Sequence, residues 1–182
     1  MIDRARSGKR VRLWSAGCST GEEPYSLAAT VLTAFPEAAS HDLRILATDV
    51  SRRILGEAEA GLYSETAAEG MAPAMRHQIF EPGLVDGRLR VNARLRALVT
   101  FRRLNFIEPW PVRGPFDVIL CRNVAIYMDD SVQAHLWRGF ESVLAPGGLL
   151  CIGHSERIGP EFRNRLIPCG PTAYRRARPG ED

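Results

Sequence analysis

The acidic pair Glu22-Glu23 stands directly behind two glycines, Gly17 and Gly21, in the run WSAGCSTGEEPYS (residues 14–26). A glycine turn that ends an apolar, strand-like run and opens a helix is where open α/β sheets form a nucleotide crevice. Gly17 and Gly21 are spaced GxxxG, not the GxGxxG through which a dinucleotide pyrophosphate approaches the backbone. A phosphate loop would also place a Lys or bare amides where the two glutamates stand. Carboxylates suit a cationic group, and a sulfonium nucleoside with a free amino end fits better than any phosphate.

Two other strand ends carry polar groups. Asp49 closes the apolar run Leu43–Thr48, where an acid can accept both ribose hydroxyls or simply serve a turn or helix cap. Arg122-Asn123 follows Phe116–Cys121; Asn123 can bond a ligand or cap the strand. Tyr127, four residues on, suits a core as well as a reaction centre. His154-Ser155-Glu156 invites a triad reading, but no GxSxG elbow surrounds Ser155 and no matching base is evident. His41, His77 and His135 lack metal-ligand spacing, and Cys18, Cys121, Cys151 and Cys169 form no CxxC, so no metal site is expected. Acidic neighbours oppose thiolate formation at Cys18, which argues against a nucleophilic role.

The elements that must position these groups read as alternating strands and helices. Val11–Ser15 is a strand, and a helix starts near Glu22, with Thr20 and Glu23 spaced as a capping box and Pro36 as its stop. Leu43–Thr48 is a second strand; Ser51 caps a helix from Arg52 to about Ala60, closed by Gly61. Val99–Arg102, Phe116–Leu120 and Leu149–Ile152 read as strands, with a helix capped by Asp130 or Ser131 before the last of these. A terminal strand near Ala173-Tyr174 can run antiparallel. Between them, residues 72–98 carry breakers and an Asp86-Gly87 turn signal, which predicts a small inserted subdomain with a hairpin. Its arginines (Arg76, Arg88, Arg90, Arg94, Arg96) make it a candidate partner surface, or a solvated decoration. Residues 1–10 read as a polar, frayed lead-in to a domain over 11–182. The fold class expected is α/β, a doubly wound and mostly parallel sheet.

Composition agrees with one soluble domain: 182 residues, 45% hydrophobic and 25% charged. A formal net charge of +3 does not call for nucleic acid. Lys9 is the only lysine, a bias read mainly as genomic. No apolar run approaches the roughly 20 residues of a membrane span, and no signal-peptide core precedes the first strand, so a cytoplasmic location without membrane insertion is expected.

Taken in order, GCSTGEEPYS, ATDVS, RRLNF, FDVILCRNVAIYMD, LAPGGLL and GHSE resemble the chemotaxis receptor methyltransferases of the CheR type, over about residues 11–175. LAPGG is common to many methyltransferases; GEEPYS and CRNVxIY in this order are specific. The resemblance implies a class I S-adenosylmethionine fold that esterifies glutamates on chemoreceptor cytoplasmic helices and releases S-adenosylhomocysteine. It implies that Ala16, Gly17 and Glu22 line the methionyl side of the cofactor and that Asp49 takes the ribose. Asn105-Phe106 and Asn123-Val124 would contact adenosine or methionyl groups, and Tyr127 would face the methyl-transfer site. Residues 72–98 would be the family's β-subdomain, able to dock a receptor's C-terminal peptide. Family members ordinarily begin with a helical domain and a TxFFR-type linker that supplies cofactor contacts and an arginine. Met1–Arg10 shows neither, and the unbroken core motifs favour an isolated catalytic domain over a degenerate relative.

A glutamate carboxylate is already ionised at neutral pH, so attack on a sulfonium methyl needs no strong base. Positioning and water exclusion would supply the catalysis, with Tyr127 and Arg122 orienting the substrate, or Arg122 holding the sheet edge through a salt bridge. Without the linker, cofactor binding of micromolar or weaker affinity and low turnover are expected. The alternative is a catalytically weak module of the same fold that binds cofactor or docks receptors. Nothing requires more than a monomer.

Overall fold

The structure, a computed structural model, describes residues 1–181. The chain begins with helix α1 (Ile2–Arg6) and strand β1 (Val11–Ala16), then α2 (Glu22–Ala34), β2 (Leu43–Asp49) and α3 (Arg52–Ala60). A middle segment follows, made of β3 (Leu62–Tyr63), α4 (Pro73–Ile79), β4 (Leu89–Arg90) and α5 (Ala93–Arg96). The regular pattern resumes with β5 (Val99–Arg103), β6 (Phe116–Cys121), α6 (Asp130–Val143), β7 (Leu144–Ile152), β8 (Leu166–Gly170) and β9 (Ala173–Arg176).

Seven strands form one sheet in the order β5-β2-β1-β6-β7-β9-β8. The pairs β5/β2, β2/β1, β1/β6 and β6/β7 are parallel; β9 runs antiparallel between β7 and β8. This is the doubly wound, mostly parallel sheet expected. From β1 the chain order proceeds outward in one direction through β2 and β5 and in the other through β6 and β7. A ligand crevice in such sheets lies beyond the carboxyl ends at that reversal.

Alternate residues of β1 feed two cores, as a pleated strand requires. Val11 and Leu13 join Tyr25, Ala28, Val31 and Leu32 of α2 and Leu55 and Ala58 of α3 on one face. Trp14 and Ala16 join Leu136, Trp137 and Phe140 of α6 on the other. There the Trp14 ring lies 5.2 Å from Phe116 and 5.2 Å from Phe140, and its buried Nε1–H donates to Thr48 Oγ1 at 2.9 Å. A buried indole thereby contributes its area without an orphaned donor.

Several local expectations are corrected. The lead-in is not frayed: Ala5 is fully buried, Arg4 pairs with Asp117, and Arg6 lies 5.2 Å over the Phe35 ring. The polar composition concealed two apolar anchors, Ala5 and the partly buried Ile2 beside it in the same core. The capping box at α2 does not form, because Gly21 takes the N-cap in a left-handed conformation and Thr20 Oγ1 turns to Glu22. Asp129, not Asp130 or Ser131, caps α6 by accepting the Val132 amide at 3.0 Å. β7 begins at Leu144, five residues before the strand expected, and β8 was not foreseen.

The middle segment holds more helix than the turn signals suggested. Pro73, at the first helical position where its missing N–H costs nothing, starts α4. The Asp86-Gly87 signal does make a tight turn, with Val85 and Arg88 bridged across it. Yet β4 pairs with β3, which lies before residue 72, so the small sheet is built from both sides of that boundary. Among the described residues, no helix is long and apolar enough to cross a membrane.

Candidate functional site

An open cleft of about 800 Å³ lies at the β1/β6 reversal, within the size range of small-ligand sites. Nine of the ten residues singled out from the sequence line it: Gly17, Glu22, Asp49, Asn105, Phe106, Arg122, Asn123, Val124 and Tyr127. Ala16 does not. It is fully buried, and its methyl belongs to the core beneath the site because β1 alternates faces up to its last residue.

The first wall is the turn after β1. Gly17 has φ +82°, and a Cβ there would run into Val124 Cγ2, so only glycine lets the two loops meet. The Gly17 and Cys18 amides both donate to Thr48 O at 2.8 Å, tying the turn to the end of β2. Asp49 then holds two loops at once. Its Oδ2 accepts the Ser19 amide and its Oδ1 the Ser51 amide, each at 3.0 Å. A carboxylate oxygen carries two lone pairs, so each retains acceptor capacity for a ligand hydroxyl.

Adjacent residues at the start of a helix point about 100° apart, and the two glutamates accordingly differ. Glu22 is exposed, accepting from Thr20 Oγ1 at 2.7 Å. Glu23 turns inward: Ser15 Oγ donates to it at 2.7 Å, and Arg122 Nη1 is 4.0 Å away. Burial raises the Glu23 carboxyl above its ordinary 4.5, while Ser15 and Arg122 pull it back and the Glu156 charge adds to the rise. The Arg122 contact is long and half exposed, so it is a loose tie between α2 and the β6 loop.

The second wall is the loop after β6. Asn123 adopts φ +58°, a left-handed conformation that Asn tolerates better than most residues. Val124 drops against Gly17, and a single 3-10 turn at Ala125–Tyr127 carries Tyr127 to the mouth, where it is 83% exposed. Across the cleft, the Asn105 side chain is held by Glu108 and the Ile107 amide, at 3.0 and 3.2 Å. The Phe106 ring is mostly in the aromatic core, 6.3 Å from Trp14.

Sequence reasoning missed Cys18, Ser19, Val50, Ile107 and Met128 as lining residues, and it marked Glu23 as part of the acidic pair without giving it a contact of its own. Val50 and Ile107 are 56% and 67% exposed, apolar lips suited to an aromatic ring. Each adjoins a residue already marked, Asp49 and Phe106, and that adjacency was the available signal. The Cys18 thiol is pushed up to about 12, mainly by burial and next by the Asp49 charge, so it stays protonated and unreactive at neutral pH. No triad forms at His154-Ser155-Glu156, since the Glu156 carboxylate is turned inward onto backbone amides. Among the described residues no group of three or more His, Cys, Asp or Glu could hold a metal ion.

The family model for the CheR methyltransferase SAM binding domain matches residues 1–174. A "Probable chemotaxis protein methyltransferase" of Rhizobium etli is 48% identical over 177 residues, covering 96% of this chain and 66% of that protein. The chemotaxis protein methyltransferase of Escherichia coli is 37% identical over 174 residues, covering 94% of this chain and 60% of that one. The chain therefore spans roughly three fifths to two thirds of the curated relatives it matches. In fold it is similar to the crystal structure of DszA carbon methyltransferase, with TM-score 0.52 and 17% identity over 83% of this chain and 30% of that one. On its motifs, its sheet order and these matches, the chain belongs to the family of CheR methyltransferase domains that bind S-adenosylmethionine.

Proposed function

We propose that this chain binds S-adenosylmethionine in the cleft and transfers its methyl group to glutamate side chains on chemoreceptor cytoplasmic helices. The observation that carries this reading is the convergence of nine motif residues, two of them carboxylates and joined there by a third, Glu23, on one cleft with an apolar lip. The chemistry of that donor set fits the ligand. Asp49 presents free acceptor capacity to ribose hydroxyls, Glu22 and Glu23 favour the ammonium and sulfonium charges, and Val50 and Ile107 offer adenine an apolar surface.

When bound, the cofactor supplies an electrophilic methyl that a carboxylate oxygen accepts as the C–S bond breaks and its electron pair returns to sulfur. No proton moves, so the chain needs no general base. Its task is orientation in a site shielded from water. Tyr127, exposed at the mouth, has a phenol free to donate to an incoming carboxylate, and Arg122 lines the same cleft as a half-exposed cation. The cleft is open on this side, so shielding would come from the substrate helix itself. The reaction belongs to the cytoplasm, where those helices lie, and residues 72–98 remain the proposed dock for a receptor C-terminal peptide.

The test is labelled methyl transfer to receptor fragments, read as base-labile methyl ester, beside calorimetric titration with S-adenosylhomocysteine and with NAD. Ester formation with binding of S-adenosylhomocysteine but not NAD is expected. The exposure of Tyr127 favours a second reading, a module that binds cofactor or docks receptors but turns over poorly. Tight S-adenosylhomocysteine binding without ester would select it.

A further inference from the structure

Glu156 belongs to no wall of the cleft, yet it is a glutamate only 3% exposed. None of the ion pairs among the described residues includes it. Its partners are main-chain amides. Oε1 accepts Val124 N–H at 2.8 Å and Ala125 N–H at 2.7 Å, and Oε2 accepts Gly153 N–H at 2.5 Å and Asn123 N–H at 3.2 Å. A buried carboxylate without partners would cost several kcal/mol; here four charge-assisted hydrogen bonds replace its water.

The donors come from two strand ends. Three belong to the loop after β6, where left-handed Asn123 and right-handed Val124 curl successive N–H groups into an anion-binding concavity. The fourth belongs to Gly153 at the end of β7. One side chain thus pins the loop that carries Arg122, Asn123, Val124, Tyr127 and Met128 to the neighbouring strand. The pin extends further, since Val124 sits against Gly17 and sets the turn after β1.

From this we infer that Glu156 is a positioning residue: its carboxylate holds the Asn123–Ala125 backbone in the ligand-ready shape before any ligand arrives. The inference rests on the cofactor reading of the cleft only for its binding assay. The Asn123 strain is thereby explained, because the left-handed turn aims three amides at one acceptor. Glu156→Gln keeps the volume but turns an NH2 group toward at least one backbone donor pair. Glu156→Asp keeps the charge and shortens the reach.

Two measurements decide it. Amide hydrogen exchange on the full, ligand-free chain should show Asn123, Val124 and Ala125 protected about as well as the central amides of β6. Free exchange at those three would overturn the inference whatever the variants do. Calorimetry with S-adenosylhomocysteine on folded Glu156→Gln should show affinity at least about tenfold weaker, a change of about 1.4 kcal/mol, with Glu156→Asp intermediate. Leu95→Ala, which destabilises the opposite core, should bind within about twofold of the unaltered chain. Equal losses in Glu156→Gln and Leu95→Ala, or no loss in the former, would reduce Glu156 to a general stabiliser. Failure of the unaltered chain to bind at all would sink the cofactor reading while leaving the exchange pattern to judge the clamp.

Discussion

The cleft and the middle segment between β3 and α5 are held together by different forces. The cleft loops hang on directed bonds: Asp49 to two amides, Glu156 to four, and Thr48 O to the Gly17 and Cys18 amides. The middle segment instead sinks Ile79, Phe80, Leu89, Val91 and Leu95 into the core beneath α2. Its charges pair loosely at the surface, Arg76 with Glu65 at 3.7 Å and Arg96 with Glu81 at 3.6 Å. Apolar burial is non-directional and tolerates small shifts. Carboxylate–amide bonds weaken steeply when geometry slips. The region with the sharper task is built from the less forgiving contacts.

That contrast breaks or holds on five substitutions. Gly17→Ala should have the largest effect, because it combines a disfavoured positive φ with a collision against Val124. S-adenosylhomocysteine binding is expected to fall beyond calorimetric detection, and retained affinity would mean that the loops yield freely. Asp49→Ala should weaken that ligand by about ten- to a hundredfold, the range for hydrogen bonds to a charged group. Unchanged affinity would remove Asp49 from the ribose role. Tyr127→Phe should leave ligand affinity unaltered and lower the rate of methyl-ester formation by roughly tenfold, one hydrogen bond to a charged group. A loss of affinity instead would place Tyr127 in the cofactor wall.

Glu23→Gln sharpens the electrostatic side of the comparison. The folded chain holds the Glu23 carboxyl above 4.5, so its protonation favours the folded state below that pH. This contribution is lost as pH rises through the raised value. Urea unfolding across a pH series should therefore show the unaltered chain losing ground to Glu23→Gln as pH increases; a flat difference would mean that Glu23 is fully hydrated. Arg76→Ala should matter least, changing stability by about 0–1 kcal/mol and ligand affinity not at all. If it weakened binding as much as Asp49→Ala, the two regions would not be mechanically separate.

Much of the scaffold is legible because its signals are local. Val11 and Leu13 against Trp14 show the period of a strand, Ser51 and Gly61 bracket α3 as cap and stop, and Asp49 announces itself at the end of an apolar run. The middle segment is harder to read. Its two-residue strands carry too little periodicity, and β4 finds its partner far upstream, with Leu62 beside Arg90 and Tyr63 beside Leu89. The α2 cap misled because Thr20 and Glu23 have the right spacing, but the turn passes through left-handed Ser19 and Gly21 and carries Thr20 away from the N-cap.

Residue order alone determined which side chains stand at strand ends: glycines at 17 and 21, acids at 22, 23 and 49, and Arg122-Asn123 after β6. These follow from patterns a few residues long, which backbone periodicity converts directly into position. Only the folded sheet decided that Val124 would close on Gly17, that Glu23 and not Glu22 would face Arg122, and that Glu156 would gather amides from two loops. Those meetings depend on β1 lying between β2 and β6, with β7 beside β6, an order set by the packing of whole layers and carried by no short stretch of chain.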